Sequence, residues 1–281
     1  MTLPRTRAEA VPVPFTGFTA ATFRWFSGLE RDNSRDYFQR TRDIYDTDVR
    51  GALEALLTAL LRSFSGEVRM FRQNRDVRFS PDKRPYKTTC YGLIVNRPGR
   101  VAGLYAQLSR RGVYFGTGYY QMAADQHGRF REAVADPRHG PGLQRLCATA
   151  VRRGLELSGR TLATVPRGFD RDHPRRRLLA LKELLLGRSL APRDALGRSR
   201  VLAFARSTWG GAGPVLAWLD RNVGESTLPP DLRWGRRPGT SRSARNGSER
   251  AKLAEGQGVF SPPSRPPARQ IEGNAASRLP R

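Results

Sequence analysis

Apolar residues recur at regular spacing from residue 15 to residue 228 and then stop. Near the start of that span Thr19 suits a helix N-cap, and Phe23, Phe26 and Leu29 follow at helical spacing up to about Arg31. Asp32, Asn33 and Ser34 break the chain and cap a second, long helix. Its broad apolar face runs from Tyr37 and Phe38 through Val49, Leu53 and Leu57 to Leu61. The stretch from Ser63 to Gly66 ends it.

The period then changes. Residues 68–71 read as a strand and 77–79 as another short one, with turn chemistry at Ser80, Pro81 and Asp82. Residues 90–95 and 104–108 have strand composition, and Ser109 to Gly112 is a hairpin turn into a strand at 113–117. Alternation puts Leu104, Ala106 and Leu108 on one face and Tyr105 and Gln107 on the other. Helical spacing returns at 122–135 and 142–153, and a short extended piece follows at 155–162. Pro174 suits a first helical turn, and Leu178, Leu179, Leu181, Leu184 and Leu185 continue that helix. Two further helices are expected at 199–208 and 214–223, with Trp209 and Trp218 in the core. Strands blocked together between helices predict an α+β fold, a mostly antiparallel central sheet flanked by helices.

Composition bounds the rest. A segment at 15–228 is long enough for a single α+β domain with a proper core. Residues 1–14 read as a flexible arm. Residues 229–281 are rich in Pro, Gly, Ser and Arg and read as a disordered tail. The net charge is +25, of which +17 falls on 15–228. Such a field suits phosphorylated or carboxylated small molecules, and it also allows sequence-independent nucleic-acid binding. Cys90 and Cys147 are too few for a disulfide framework, and no apolar run is long enough for a membrane span. A cytoplasmic protein with no membrane partner is expected; oligomeric state and cofactors are not legible.

Phosphate-loop, dinucleotide, zinc-protease and serine-hydrolase signatures are absent. Asp76, Asp172 and His173 form a geometrically allowed metal set, outweighed by the wrong spacing of the three histidines, and no metal is expected. What stands out is lysine. Of the 50 basic residues 46 are arginine, and three of the four lysines, Lys83, Lys87 and Lys182, lie in chemically dense segments. Two belong to the stretch from Arg75 to Lys87, which mixes both charge signs with aromatics and turn residues. Here Arg75, Asp76, Arg78 and Lys87 are candidates for clamping an anion. Asp82 is a candidate base or orienter of Lys83, with Tyr86 supplying a hydroxyl. The competing reading is an ionic network that fixes a tight turn. Gly116 and Gly118 allow either a close ligand approach or a bulge, with Tyr119 and Tyr120 beside them. Asp172, His173 and Pro174 fit a helix start, with Asp172 as cap and His173 as an alternative site group.

The stretch Arg75, Asp76, Arg78, Phe79, Ser80, Asp82, Lys83, Pro85, Tyr86 and Lys87 resembles the signature of the conserved hypothetical family called domain of unknown function 2461. The resemblance runs over about 17–224. Supporting matches are Asp32 with Asn33, Tyr37 with Phe38, Gly116 to Tyr120, Arg131, Pro166 to Phe169, Asp172 to Pro174, and Lys182. One family lysine is missing, with Ala163 and Thr164 in its place. The resemblance implies no activity. It does put all three lysines, with Arg131, inside one pattern. The expectation is therefore a basic cleft at one end of the sheet, lined by Arg75, Asp76, Arg78, Asp82, Lys83, Lys87, Arg131 and Lys182. It would hold an anionic small molecule, with or without catalysis. A purely architectural motif is the alternative.

Overall fold

The computed structural model describes residues 14–78, 80–229 and 232–233. The arm expected at 1–14 and the tail expected at 229–281 lie almost wholly outside them, as does Phe79.

The chain opens with helix α1 (Ala20–Arg31), closed at its start by reciprocal bonds between Thr19 and Thr22. Ser34 caps α2 (Arg35–Arg40) by accepting from the Tyr37 amide. The long second helix is less regular than its apolar face suggests. After α2 come α3 (Arg42–Ile44), a π-helical stretch (Tyr45–Gly51) and α4 (Ala52–Leu60). The widening has a local cause. The buried Thr22 hydroxyl donates to the Asp48 carbonyl at 2.9 Å, tying that turn to α1. A Cβ at Gly51 would stand 2.6 Å from the Asp46 carbonyl oxygen, so the turn closes over a glycine.

Six strands follow: β1 (Glu67–Met70), β2 (Cys90–Val95), β3 (Leu104–Ser109), β4 (Gly112–Tyr119), β5 (Glu156–Ser158) and β6 (Leu184–Leu190). They form one antiparallel sheet in the order β1-β2-β3-β4-β6-β5. Between β4 and β5 lie α5 (Ala124–Ala135) and α6 (Gly140–Arg152); α7 (Arg176–Leu179) precedes β6, and α8 (Arg198–Asn222) ends the domain. This is the α+β architecture expected.

Three expectations need correction. Leu184 and Leu185 belong to a strand, not to a continued helix. Leu184 and Leu186 pack into one core and Leu185 into another, so the run is apolar on both faces and carries no alternation. The two last helices are one, α8, with Pro214 inside it. Gly210, Gly211 and Gly213 give the backbone room to accept that ring. Val77 and Arg78 lie in no strand, Phe79 being outside the described residues; among the described residues nearby pairing is limited to a bridge between Asn74 and Tyr86.

The apolar residues fall into three clusters, two side by side on one face of the sheet and one on the other. Cys90, Ile94, Leu104, Ala106, Leu108 and Phe115 meet α1, α4 and the first half of α8. Leu184 and Leu186 meet α5, α6 and the second half of α8. The third cluster contains no helical residue: Tyr91, Tyr105 and Leu185 pack with Phe71, Leu93, Tyr114 and Tyr120 on the opposite sheet face. The alternation read for Leu104 to Leu108 is thus the division between helix-covered and tyrosine-rich faces.

Candidate functional site

The Arg75 to Lys87 stretch folds back on itself. The Arg75 amide donates to the Pro85 carbonyl (2.8 Å) and the Lys87 amide to the Gln73 carbonyl (3.0 Å). Asn33 secures it from α1's side: its Oδ1 accepts from the Tyr86 amide at 2.9 Å and its Nδ2 donates to the Tyr86 carbonyl at 3.2 Å. The Tyr86 ring stacks on Phe38 at 4.3 Å and is 8% exposed. Tyr86 is therefore a member of the large core.

Each carboxylate in the loop is held by arginine. Asp82 accepts from Arg84 (2.7 Å) and Arg75 (2.6 Å), and from the Arg84 amide at 3.1 Å. Hydrogen bonds from Arg84 and then Arg75 hold its carboxyl far below the usual carboxylate range. Asp76 accepts from the Arg78 side chain (2.7 and 3.0 Å), which lowers its pKa to about 2. Lys83 donates to the Val77 carbonyl at 3.1 Å. Lys87 turns the other way, onto the tyrosine-rich face. Its ammonium donates to the Arg72 carbonyl (2.7 Å) and the Tyr91 hydroxyl (3.1 Å), 4.8 Å from the centre of that ring. Burial, with Arg72 adding to it, lowers the Lys87 pKa.

Lys182 sits in a third place. Its amide donates to the Arg160 carbonyl at 2.7 Å, across an antiparallel bridge between Thr161 and Leu181. That pairing sets Lys182 beside Arg160, whose guanidinium is bound to the buried Glu183 carboxylate at 2.7 Å. On α5, His127 and Arg131 stand four residues apart, one turn along one face. Among the described residues His127 Nδ1 and Arg131 Nε are buried and have no hydrogen-bond partner. Burial lowers the His127 pKa, and Arg131, Lys182 and Arg160 push it the same way against Glu183. These four basic side chains form one electrostatic cluster. Arg160 also feels Tyr120, at the edge of the tyrosine-rich face.

The remaining candidates have local tasks. His173 Nδ1 accepts from the Arg175 amide at 3.0 Å, so the histidine, not Asp172, caps this turn. Gly118 has φ of 140°, and a Cβ there would run into the Leu184 carbonyl. A Cβ at Gly116 would come 2.7 Å from the Tyr114 ring, while its carbonyl accepts from Trp209 Nε1 at 3.1 Å. Both glycines serve sheet packing.

The family model for the conserved hypothetical proteins of domain of unknown function 2461 matches residues 21–218. The chain belongs to this family. No curated protein matches it.

Within this DUF2461 domain the sequence-derived site divides. Arg75, Asp76, Arg78, Asp82 and Lys83 share the folded-back loop; Lys87 faces Tyr91; Arg131 and Lys182 share the α5 cluster. The three lysines do not meet in one cavity. A cavity of about 500 Å³ does open at the sheet end where β2 and β4 finish and β3 begins. Gly118 lines it, and no lysine does. Sequence reasoning missed His127 and Arg160. His127 stands four residues before Arg131, a signal present in the sequence. Arg160 has none, because its place depends on the bridge to Leu181.

Proposed function

We propose that the protein binds an anionic small molecule, phosphate- or carboxylate-bearing, at the cluster of His127, Arg131, Arg160 and Lys182. The observation that carries this reading is the pair of unpartnered buried nitrogens on one face of α5, His127 Nδ1 and Arg131 Nε. Buried donors and acceptors are otherwise almost always satisfied. Three cations face one carboxylate here, Glu183, so a bound anion balances the charge and completes the bonds. In this reading Asp82, Lys83 and Tyr86 hold the fold and do not react. Asp82, already held by two arginines, is a poor base. Cys90 and Cys147 are buried thiols pushed up to about 12 by burial and joined in no disulfide, which suits a reducing cytoplasm. Among the described residues no helix is long and apolar enough to cross a membrane.

The test is calorimetric titration with inorganic phosphate and pyrophosphate at fixed ionic strength. Saturable binding is expected, weakened about tenfold or more in Arg131→Met and Lys182→Met and unchanged in Lys83→Met. Equal affinity in all three variants, or no heat beyond a chloride control, sinks the reading. The net charge of +25 favours a second one, sequence-independent nucleic-acid binding. A single-stranded oligonucleotide bound with a steep salt dependence, indifferent to Arg131→Met, would establish that instead.

A further inference from the structure

The cavity at the sheet end is lined by none of His127, Arg131, Arg160 and Lys182, although Gln126 of α5 reaches its wall, and its chemistry differs from theirs. Its apolar wall is built by Leu93 and Val95 of β2, Tyr105 of β3 and Met122. At about 500 Å³ it falls in the size range of small-molecule sites.

Most polar groups around it are already engaged. Gln126 accepts from the Ala123 amide (3.0 Å) and donates to the Gly224 carbonyl (2.7 Å). Arg100 pairs with Asp220 at 3.1 Å, and the same carboxylate takes the Tyr119 hydroxyl at 2.9 Å and the Val101 amide at 3.3 Å. Arg233 donates to the Leu228 carbonyl at 2.8 Å. Glu225 is exposed.

Arg97 differs. Its Nε is buried without a partner among the described residues, and its guanidinium makes only a long bond to the Ala102 carbonyl, 3.4 Å. It lies 6.0 Å from the Phe64 ring centre, and no carboxylate among the described residues pairs with it within ion-pair range. Glu67, the strand partner of Val95, is bound by Asn96 at 2.9 Å. Burial opposes the Arg97 charge, Arg100 adds repulsion and Asp220 offsets part of this without pairing with it, and a guanidinium stays charged in a protein. Two residues on the cavity wall, Asn96 (φ 51°) and Gln121 (φ 52°), are also the only non-glycine residues with positive φ among those described. Backbone held in this region concentrates at ligand sites.

We infer that this cavity is a second ligand site, for a monocarboxylate with an apolar or aromatic body, its carboxylate on Arg97 and its body along Leu93, Val95 and Met122. One carboxylate matches one spare cation. A dianion would need a second: Arg100 is neutralised by Asp220, and Arg233 is held by the Leu228 and Ser226 carbonyls with Glu225, another acid on the wall, to offset its charge. A guanidinium edge fits a planar carboxylate.

The test uses the full chain and 4-phenylbutyrate, with 4-phenylbutanol as its neutral counterpart, followed by NMR line-broadening and calorimetry. Saturable binding of the acid is expected, with the alcohol weaker by about tenfold or more. Arg97→Gln should weaken the acid by about the same factor and leave the alcohol unchanged. Val101→Trp, at a partly exposed wall position that tolerates a larger ring, should block both compounds. Phosphate binding at Arg131 should stay as in wild type in both variants, showing that they are folded and that the two sites are separate. Equal binding of acid and alcohol, unaltered acid binding in Arg97→Gln, or no saturation at millimolar concentration overturns the inference.

Discussion

Two charged regions of this molecule differ in what their charges already hold. In the Arg75 to Lys87 loop every acid faces an arginine at hydrogen-bond distance, and Lys83 is spent on a backbone carbonyl. Around α5 three cations share one carboxylate, and two buried nitrogens have no partner among the described residues. The first region is the more conspicuous in the sequence, and the second leaves more of its charge and hydrogen-bonding capacity unpaired. Charge density along a chain measures how much electrostatic material is present. Only three-dimensional pairing says how much of it is still available.

The sharpest break of this contrast is Tyr86→Ala. If the loop is architecture, removing a ring that is 8% exposed and stacked on Phe38 should cost about 3 kcal/mol or more, read by urea unfolding. Loss of phosphate binding with stability unchanged would reverse the assignment of roles.

A smaller effect is expected from Asp82→Asn, and its signature is in pH. The folded carboxyl of Asp82 sits below its unfolded value of about 3.9. Its contribution is therefore complete above that value and lost as pH falls through the folded one. Asp82→Asn should lower the melting temperature at pH 7, and the gap to wild type should shrink as the pH is taken below 4. A gap that stays constant down to pH 2 would show that the ion pair with Arg75 and Arg84 contributes nothing.

The least drastic change is Lys182→Met, whose effect appears on its neighbour. Burial, Arg131, Lys182 and Arg160 all lower the His127 pKa. Removing one cation should move it back up toward 6.5, followed by the imidazole resonances in an NMR titration. The sign for stability follows. A histidine held below its unfolded pKa loses stability as pH falls through 6.5, and the variant should lose less. An unmoved titration would place Lys182 outside the cluster.

How much of this was legible depended on whether a residue's surroundings lie near it in sequence. The alternation of Leu104, Tyr105, Ala106, Gln107 and Leu108 is local, and it located both sheet faces. Thr19 and Ser34 announced their helix starts for the same reason. The leucines at 184–186 misled because burial on both faces removes the period that separates strand from helix. Pro214 misled because a local rule against proline in helices was overridden by apolar residues on both sides, Trp209 and Ala212 before it and Val215 and Trp218 after it. The site followed this rule too. Lys182 stood out by the scarcity of lysine and Arg131 was reached through resemblance, whereas Arg160 is brought in by a bridge formed only in the folded chain, and the spare donor of Arg97 shows only once its neighbours are counted.

The unbroken course of α8 through Pro214 has its own consequence. Its first half supplies Val201, Ala205 and Trp209 to one core and its second half Ala212, Val215 and Leu219 to the other. A helix shared in this way behaves as a common spine, so neither core can melt while the other keeps its full set of partners. The two halves of the molecule therefore open together, as one cooperative unit, and destabilisation in the Tyr86 core is felt at α5 as a larger fraction of molecules in which that entire surface has been lost.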